Sequence, residues 1–142
     1  MSVPLTQALG QVKYLKQPAG ASPSSIGDIQ LAYSATIPDD LRAFWQESNG
    51  PSLWFEFKEL QFLSTTEVIE DNYELKTYMP GSVPLCLDGN GNICLARVES
   101  SRIVGYYVAA CGELDWAQSK RIAANFTDFL QDRASPESRL RS

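Results

Sequence analysis

Four carboxylates in the middle of the chain share a helical spacing: Glu67, Glu70, Asp71 and Glu74 stand at i, i+3, i+4 and i+7. A continuous helix would gather all four on one face, leaving Val68, Ile69, Tyr73 and Leu75 on the broad opposite face. Like charges so spaced each oppose the helix by roughly 0.2–0.5 kcal/mol, partly offset near its N-terminus by the dipole. A face carrying that cost suits a basic protein surface, and its bland alternative is a plain solvated face. A second oxygen-rich run, Asp88-Gly89-Asn90-Gly91-Asn92, has the outline of a calcium loop, with Glu99 at its far end. Ile93 stands where that loop needs glycine and the flanks read as strands, so a hairpin turn accounts for the run. Trp54 and Trp116 are candidate aromatic anchors of an interface, against a default of core or sheet-edge cover.

Other chemistries lack their residues. The chain has no histidine, which removes any Ser-His-Asp or Cys-His nucleophile built within it. Cys86, Cys94 and Cys111 show no CxxC spacing and do not make a zinc set. They read as buried thiols of a reducing compartment, hence a cytoplasmic protein. No spacing marks a catalytic carboxylate pair, and phosphate-binding glycine loops are absent, so neither catalysis nor a metal or cofactor is expected. A formal charge of -5 argues against nucleic acid and anionic membranes and favours a basic protein as partner. No apolar run approaches the roughly 18 residues that span a bilayer, and no basic-then-apolar leader opens the sequence. With 142 residues, 44% hydrophobic and 20% charged, the composition is that of one folded domain.

The elements that must position these residues are readable in turn. Leu5, Ala8, Leu9, Val12 and Leu15 keep helical spacing, weakened by Gly10, and residues 18–24 form a turn-rich linker. Ser25 caps a short helix over 26–34 that buries Ile26, Ile29 and Tyr33. Pro38 opens a helix over 38–48, with Asp39 and Asp40 at the positive end of its dipole and Leu41, Phe44 and Trp45 as its buried stripe. Asn49-Gly50 closes that helix in a left-handed conformation, and Pro51 prevents its continuation. Leu53 to Leu63 reads as strand. Ser64 and Glu67 form a capping box for a helix over 65–78, stopped by Pro80-Gly81. Strands over 84–87, 93–98 and 103–110 make a meander, and Asn125 with Asp128 starts a helix over 126–132. The expected fold is α+β: a twisted, mainly antiparallel sheet of about four to six strands with helices packed around it.

In order and spacing these segments resemble the SUKH superfamily, the Smi/Knr-type domain. The likeness runs through the amphipathic helix at Ile26 to Ser34, Ile37-Pro38, the acidic start Asp39-Asp40, Phe44-Trp45 and Asn49-Gly50. It continues through Leu60 to Glu67 and Pro84 to Asn92, and ends at Phe126 to Leu130. Gln30 stands where that family usually has Glu, Ser34 where Gly is common, and Leu87 where Gly is often found. The likeness divides the chain into an extension and linker over 1–24, a SUKH-like domain over 25–132 and a polar tail over 133–142. It implies a bacterial immunity protein that binds a toxin domain, often a nuclease, without catalysis. Its alternative implication is a regulatory adaptor that binds cellular proteins.

Overall fold

The computed structural model describes residues 12–16, 18–55, 58–70 and 73–131. Among them the order is β1 (Val12–Lys16), α1 (Pro23–Tyr33), α2 (Asp39–Glu47), β2 (Ser52–Phe55), β3 (Lys58–Phe62), α3 (Thr65–Ile69) and α4 (Tyr73–Tyr78). There follow β4 (Ser82–Leu87), β5 (Asn92–Glu99), β6 (Arg102–Ala110), a 3-10 turn (Trp116–Gln118), β7 (Lys120–Ala123) and α5 (Phe126–Gln131). The strands lie in one sheet in sequence order, and every neighbouring pair is antiparallel. This is the expected α+β class, and the three strands of the expected meander are consecutive neighbours.

The sheet has seven strands rather than four to six. The single strand expected over 53–63 is replaced by two paired strands, β2 and β3, with Ser52 opposite Gln61 and Phe55 opposite Lys58. One strand of that length would run to about 36 Å, and folding back gives each half a partner. The helical spacing expected up to Leu15 also fails, because residues 12–16 form β1 and pair with β2. Val12 and Tyr14 favour the strand, and an available sheet edge outweighs a helical pattern already weakened by Gly10. Residues 1–11 and the polar tail lie outside the described residues.

The linker is tied down. The Ala21 N–H donates to the Trp45 carbonyl (2.8 Å), the Asn49 N–H to the Ala19 carbonyl (2.8 Å) and the Ser48 hydroxyl to the Pro18 carbonyl (2.7 Å). A Cβ on Gly20 would fall 1.7 Å from the Gln46 carbonyl oxygen, so only glycine passes there. Helix α1 starts earlier than expected, with Pro23 in its first turn. Its cap is Ser22, whose hydroxyl accepts from the Ser25 N–H (3.2 Å). Helix α2 is closed by Ser48 in an extended conformation, not by a left-handed Asn49-Gly50. Gly50 does have φ +85°, but its role is clearance, because a Cβ there would come 2.9 Å from Ser64 N. The Asn49 side chain meanwhile accepts from the Thr65 N–H (2.7 Å), so the Asn-Gly pair joins the end of α2 to the start of α3.

The main core lies between the sheet and the helices, with Ile26, Leu41, Phe44, Trp45, Val68 and Phe126 essentially sealed from solvent. The Phe44 ring packs on Phe62 (4.8 Å between centroids) and on Phe126 (4.9 Å). Strand β5 alternates: Cys94 and Ala96 face this core, while Ile93 and Leu95 face a second, smaller one. Leu75 of α4 and Met79 just after it cover that second core together with Ala109, Leu114 and Trp116. Both faces of the central strands are thus packed, which explains the apolar continuity of β4 and β5.

Candidate functional site

The acidic helix face is not built as expected, because the single helix over 65–78 is two short helices. Helix α3 ends at Ile69 and Glu70 is extended (φ -70°, ψ 142°), so Glu67, Glu70 and Glu74 do not line up on one helical face. Two β-branched pairs, Thr65-Thr66 and Val68-Ile69, weaken helix propagation, and Asp71-Asn72 are residue types that favour caps over helix interiors. The Glu67 carboxylate accepts from the Ser64 N–H (2.9 Å) while the Ser64 hydroxyl accepts from the Glu67 N–H (3.2 Å), the full capping box. Glu67 is therefore half-committed to the fold. The Glu70 N–H donates to the Thr66 carbonyl (3.0 Å) and its side chain is exposed. Asp71 lies outside the described residues.

Glu74, in the first turn of α4, belongs to a different surface. With Tyr78 it forms one wall of a cleft of about 500 Å³, whose other wall is the β6–β7 loop from Cys111 to Asp115 with Gln118. Glu113 and Asp115 bring further carboxylates to this cleft. Asp115 caps the 3-10 turn, its side chain accepting from the Ala117 N–H (3.0 Å). The Glu113 N–H donates to the Ala110 carbonyl (2.9 Å), but the carboxylates of Glu74 and Glu113 have no hydrogen-bond or ion-pair partner among the described residues, where Arg97–Glu99 (3.3 Å) is the ion pair found. Tyr78 is 61% exposed, one of two large apolar side chains left so open among the described residues. A smaller recess of about 290 Å³ shares Glu113 and Gln118 and adds Lys120.

Trp116 holds this loop in place. Its indole N–H donates to the Pro80 carbonyl (2.9 Å), its ring stands edge-on to Tyr107 (5.1 Å), and the Arg97 guanidinium lies 4.5 Å from its centroid. The tryptophan is half-buried and clamps Leu114 and Asp115 beside α4. Trp54 sits on β2, opposite Lys13 and Glu59, four strand positions from β6. The structure does not bring the two tryptophans together. Sequence reasoning missed Tyr78, Glu113 and Asp115. Only Tyr78 left a signal, since it stands off the Leu75/Met79 stripe of its helix.

Other candidate chemistry is used internally. The Asp88 carboxylate accepts from the Asn90 N–H (2.8 Å), the Asn92 N–H (3.2 Å) and the Asn92 side-chain amide (2.8 Å). Gly89 and Gly91 take positive φ on either side, so the run is a hairpin turn with its carboxylate occupied. Burial, with Asp88 and Cys94 nearby, pushes the Cys111 thiol up, which disfavours a thiolate at the cleft. No helix among the described residues is long and apolar enough to cross a membrane.

What the arrangement offers is a concave acidic surface with an open aromatic wall, suited to guanidinium or ammonium groups. Comparison with curated proteins gives no match. The family model described as SMI1 / KNR4 family (SUKH-1) matches residues 20–132, from the glycine wedged against α2 to just past α5. That match takes in most of the sequence and, in full, twelve of the thirteen elements among the described residues, which places α1, the Asn49-Gly50 junction, the meander and α5 within one family pattern: the chain belongs to the SMI1 / KNR4 family (SUKH-1).

Proposed function

We propose that this chain is a non-catalytic protein-binding domain that neutralises a cognate toxin in the cytoplasm of a bacterium, and that a basic face of the toxin docks at the cleft between α4 and the β6–β7 loop. The observation that carries the location is the pair of unpartnered carboxylates, Glu74 and Glu113, beside the exposed Tyr78 ring. A nuclease surface shaped for phosphates is basic, and an acidic concavity steers it in and covers it. Glu67, Glu70 and Asp71 belong to the proposal as outer charges that raise the association rate. Trp116 enters as the residue that holds the cleft wall, and Trp54, on β2, is left out.

The test is association kinetics between this chain and the toxin domain encoded beside its gene, followed across a salt series. Glu74→Lys with Glu113→Lys should slow association by about tenfold and flatten its salt dependence, with thermal melting unchanged. Unchanged rate and salt dependence would reject the cleft as the docking site. No complex with the unaltered chain would reject toxin neutralisation itself, and capture of several unrelated cellular proteins in defined complexes would favour the adaptor reading.

A further inference from the structure

We infer that Cys86 and Cys94 are a redox-reactive dithiol that closes to an intramolecular disulfide within the folded chain. The two cysteines are register partners on β4 and β5. Both are fully buried and both belong to the main core, on the same side of the sheet. Cys94 is among the groups whose nearness raises the Cys86 thiol, after burial itself. Opposed residues of antiparallel strands have Cα atoms about 4.5–5.5 Å apart, inside the roughly 4.4–6.8 Å that a disulfide spans. The intervening turn keeps them opposed, because the Asp88 carboxylate binds both the Asn90 and the Asn92 N–H. A register shift between Pro84 and Cys86 marks an irregularity in β4 directly beside the pair. Read along the chain, the pair has no CxxC spacing, and only the hairpin makes it a pair.

The oxidant is a small-molecule disulfide such as glutathione disulfide. One protein thiol loses its proton and attacks a glutathione sulfur, forming a mixed disulfide and releasing one glutathione thiolate. The second protein thiol then loses its proton and attacks the protein-side sulfur, releasing the second glutathione. Two protein thiols are oxidised to one disulfide, one glutathione disulfide is reduced to two thiols, and the two protons pass to those thiolates. Burial holds Cys86 in its thiol form, so the reaction waits on local opening of the hairpin. The exposed Cys111, whose N–H donates to the Gly91 carbonyl (2.7 Å), is not part of the pair.

The test uses the full chain carrying Cys111→Ser, equilibrated in glutathione buffers of stepped ratio, folded and in urea. Each equilibrium is approached from the reduced and from the oxidised side, then quenched, alkylated and mapped by peptide mass spectrometry. The expected product links Cys86 to Cys94 with loss of two hydrogens. Its midpoint should be about tenfold more reducing in the folded chain than in urea, because the fold holds the sulfurs together. Cys86→Ser or Cys94→Ser in the same background should yield only glutathione adducts. A folded-state midpoint equal to or more oxidising than that in urea would overturn the inference, as would folded chains that carry only free thiols or mixed adducts at ratios where the unfolded chain is bridged.

Discussion

Asp40 gives the sharpest test of how this fold is held. In sequence it is an acidic residue at a helix start, a common dipole feature. In the structure one carboxylate oxygen accepts from the Leu41 N–H (2.9 Å), and the other accepts from the Thr127 N–H (3.0 Å) and the Thr127 hydroxyl (3.3 Å). Asp40 thus caps the first turn of α5 from the first turn of α2, across 87 residues of chain. Asn125 already serves the Asp128 N–H (2.8 Å), so the loss on removing Asp40 is confined to Thr127 and to Asp40's own helix. A lost cap costs about 1 kcal/mol, and a hydrogen bond to a charged acceptor about 1.5–3 kcal/mol before discounting for partial exposure. Asp40→Ala should therefore destabilise the chain by about 2–3 kcal/mol. Asp40→Asn keeps an oxygen for Thr127 and loses the charge, so about 1 kcal/mol is expected.

Urea unfolding followed by circular dichroism measures both, with an unchanged dependence on urea showing that the unfolded state is the same. The melting temperature of Asp40→Ala should fall by about 8 °C for a chain of this size. A loss below about 0.5 kcal/mol, or equal losses for the alanine and asparagine variants, would refute the carboxylate staple as a source of stability.

Ser34 closes α1 in the left-handed region (φ 51°, ψ 45°), so Ser34→Gly should raise stability by about 1 kcal/mol in thermal melting while Ser34→Ala should not. The Gln30 side-chain oxygen accepts from the Ile37 N–H (3.1 Å) and from Arg42 (2.9 Å). Gln30→Glu makes both bonds charge-assisted, and a gain of about 0.5–1 kcal/mol that shrinks with added salt is expected. The Tyr106 hydroxyl is buried with no hydrogen-bond partner among the described residues, so Tyr106→Phe should be neutral or stabilising by up to about 1 kcal/mol in urea unfolding near neutral pH. Burial, helped by the Asp40 carboxylate, holds the Tyr106 phenol well above the ordinary tyrosine value. The native chain keeps that proton after the unfolded chain has released it near pH 10. Above that pH the stability of the unaltered chain should fall by about 1.4 kcal/mol per pH unit from this group, a component that Tyr106→Phe should lack in alkaline urea titrations.

The parts of the fold legible in sequence are those whose determinants lie within a few residues of one another. The Ser64/Glu67 capping box and the Asp88–Asn92 turn are satisfied by neighbours two to four positions away, and the Leu41, Phe44 and Trp45 stripe is set by spacings of three and four. Their physics is local, so reading it needs no knowledge of the rest of the chain. The errors share the opposite cause. Residues 12–16 became strand because β2 offers an edge 40 residues later, and Ser22 displaced Ser25 as the cap in a segment bonded to the end of α2. The helix expected through Glu70 stopped because β-branched residues and Asp71-Asn72 gave it little propensity to resist.

The candidate site lies at the far end of that scale. Glu113 and Asp115 meet Glu74 and Tyr78 only because Trp116 reaches back to the Pro80 carbonyl and folds the loop after β6 beside α4. No spacing rule joins residues 40 positions apart, so acidity was readable while its location was not. The same division runs through the family pattern. Asp40 caps α5, Asn49 caps α3 and Gly50 gives Ser64 room, so these motif positions are occupied by the fold and leave little to offer a partner. The carboxylates without a partner among the described residues, Glu74 and Glu113, sit on a two-turn helix and a loop, where substitution costs the core nothing. A scaffold held by its motif residues and a recognition surface carried on elements outside them can vary independently. Under the proposed docking, that separation is what a domain matched to one partner requires: membership of the family identifies the scaffold, and the charges on α4 and the β6–β7 loop are the proposed means of selecting the partner.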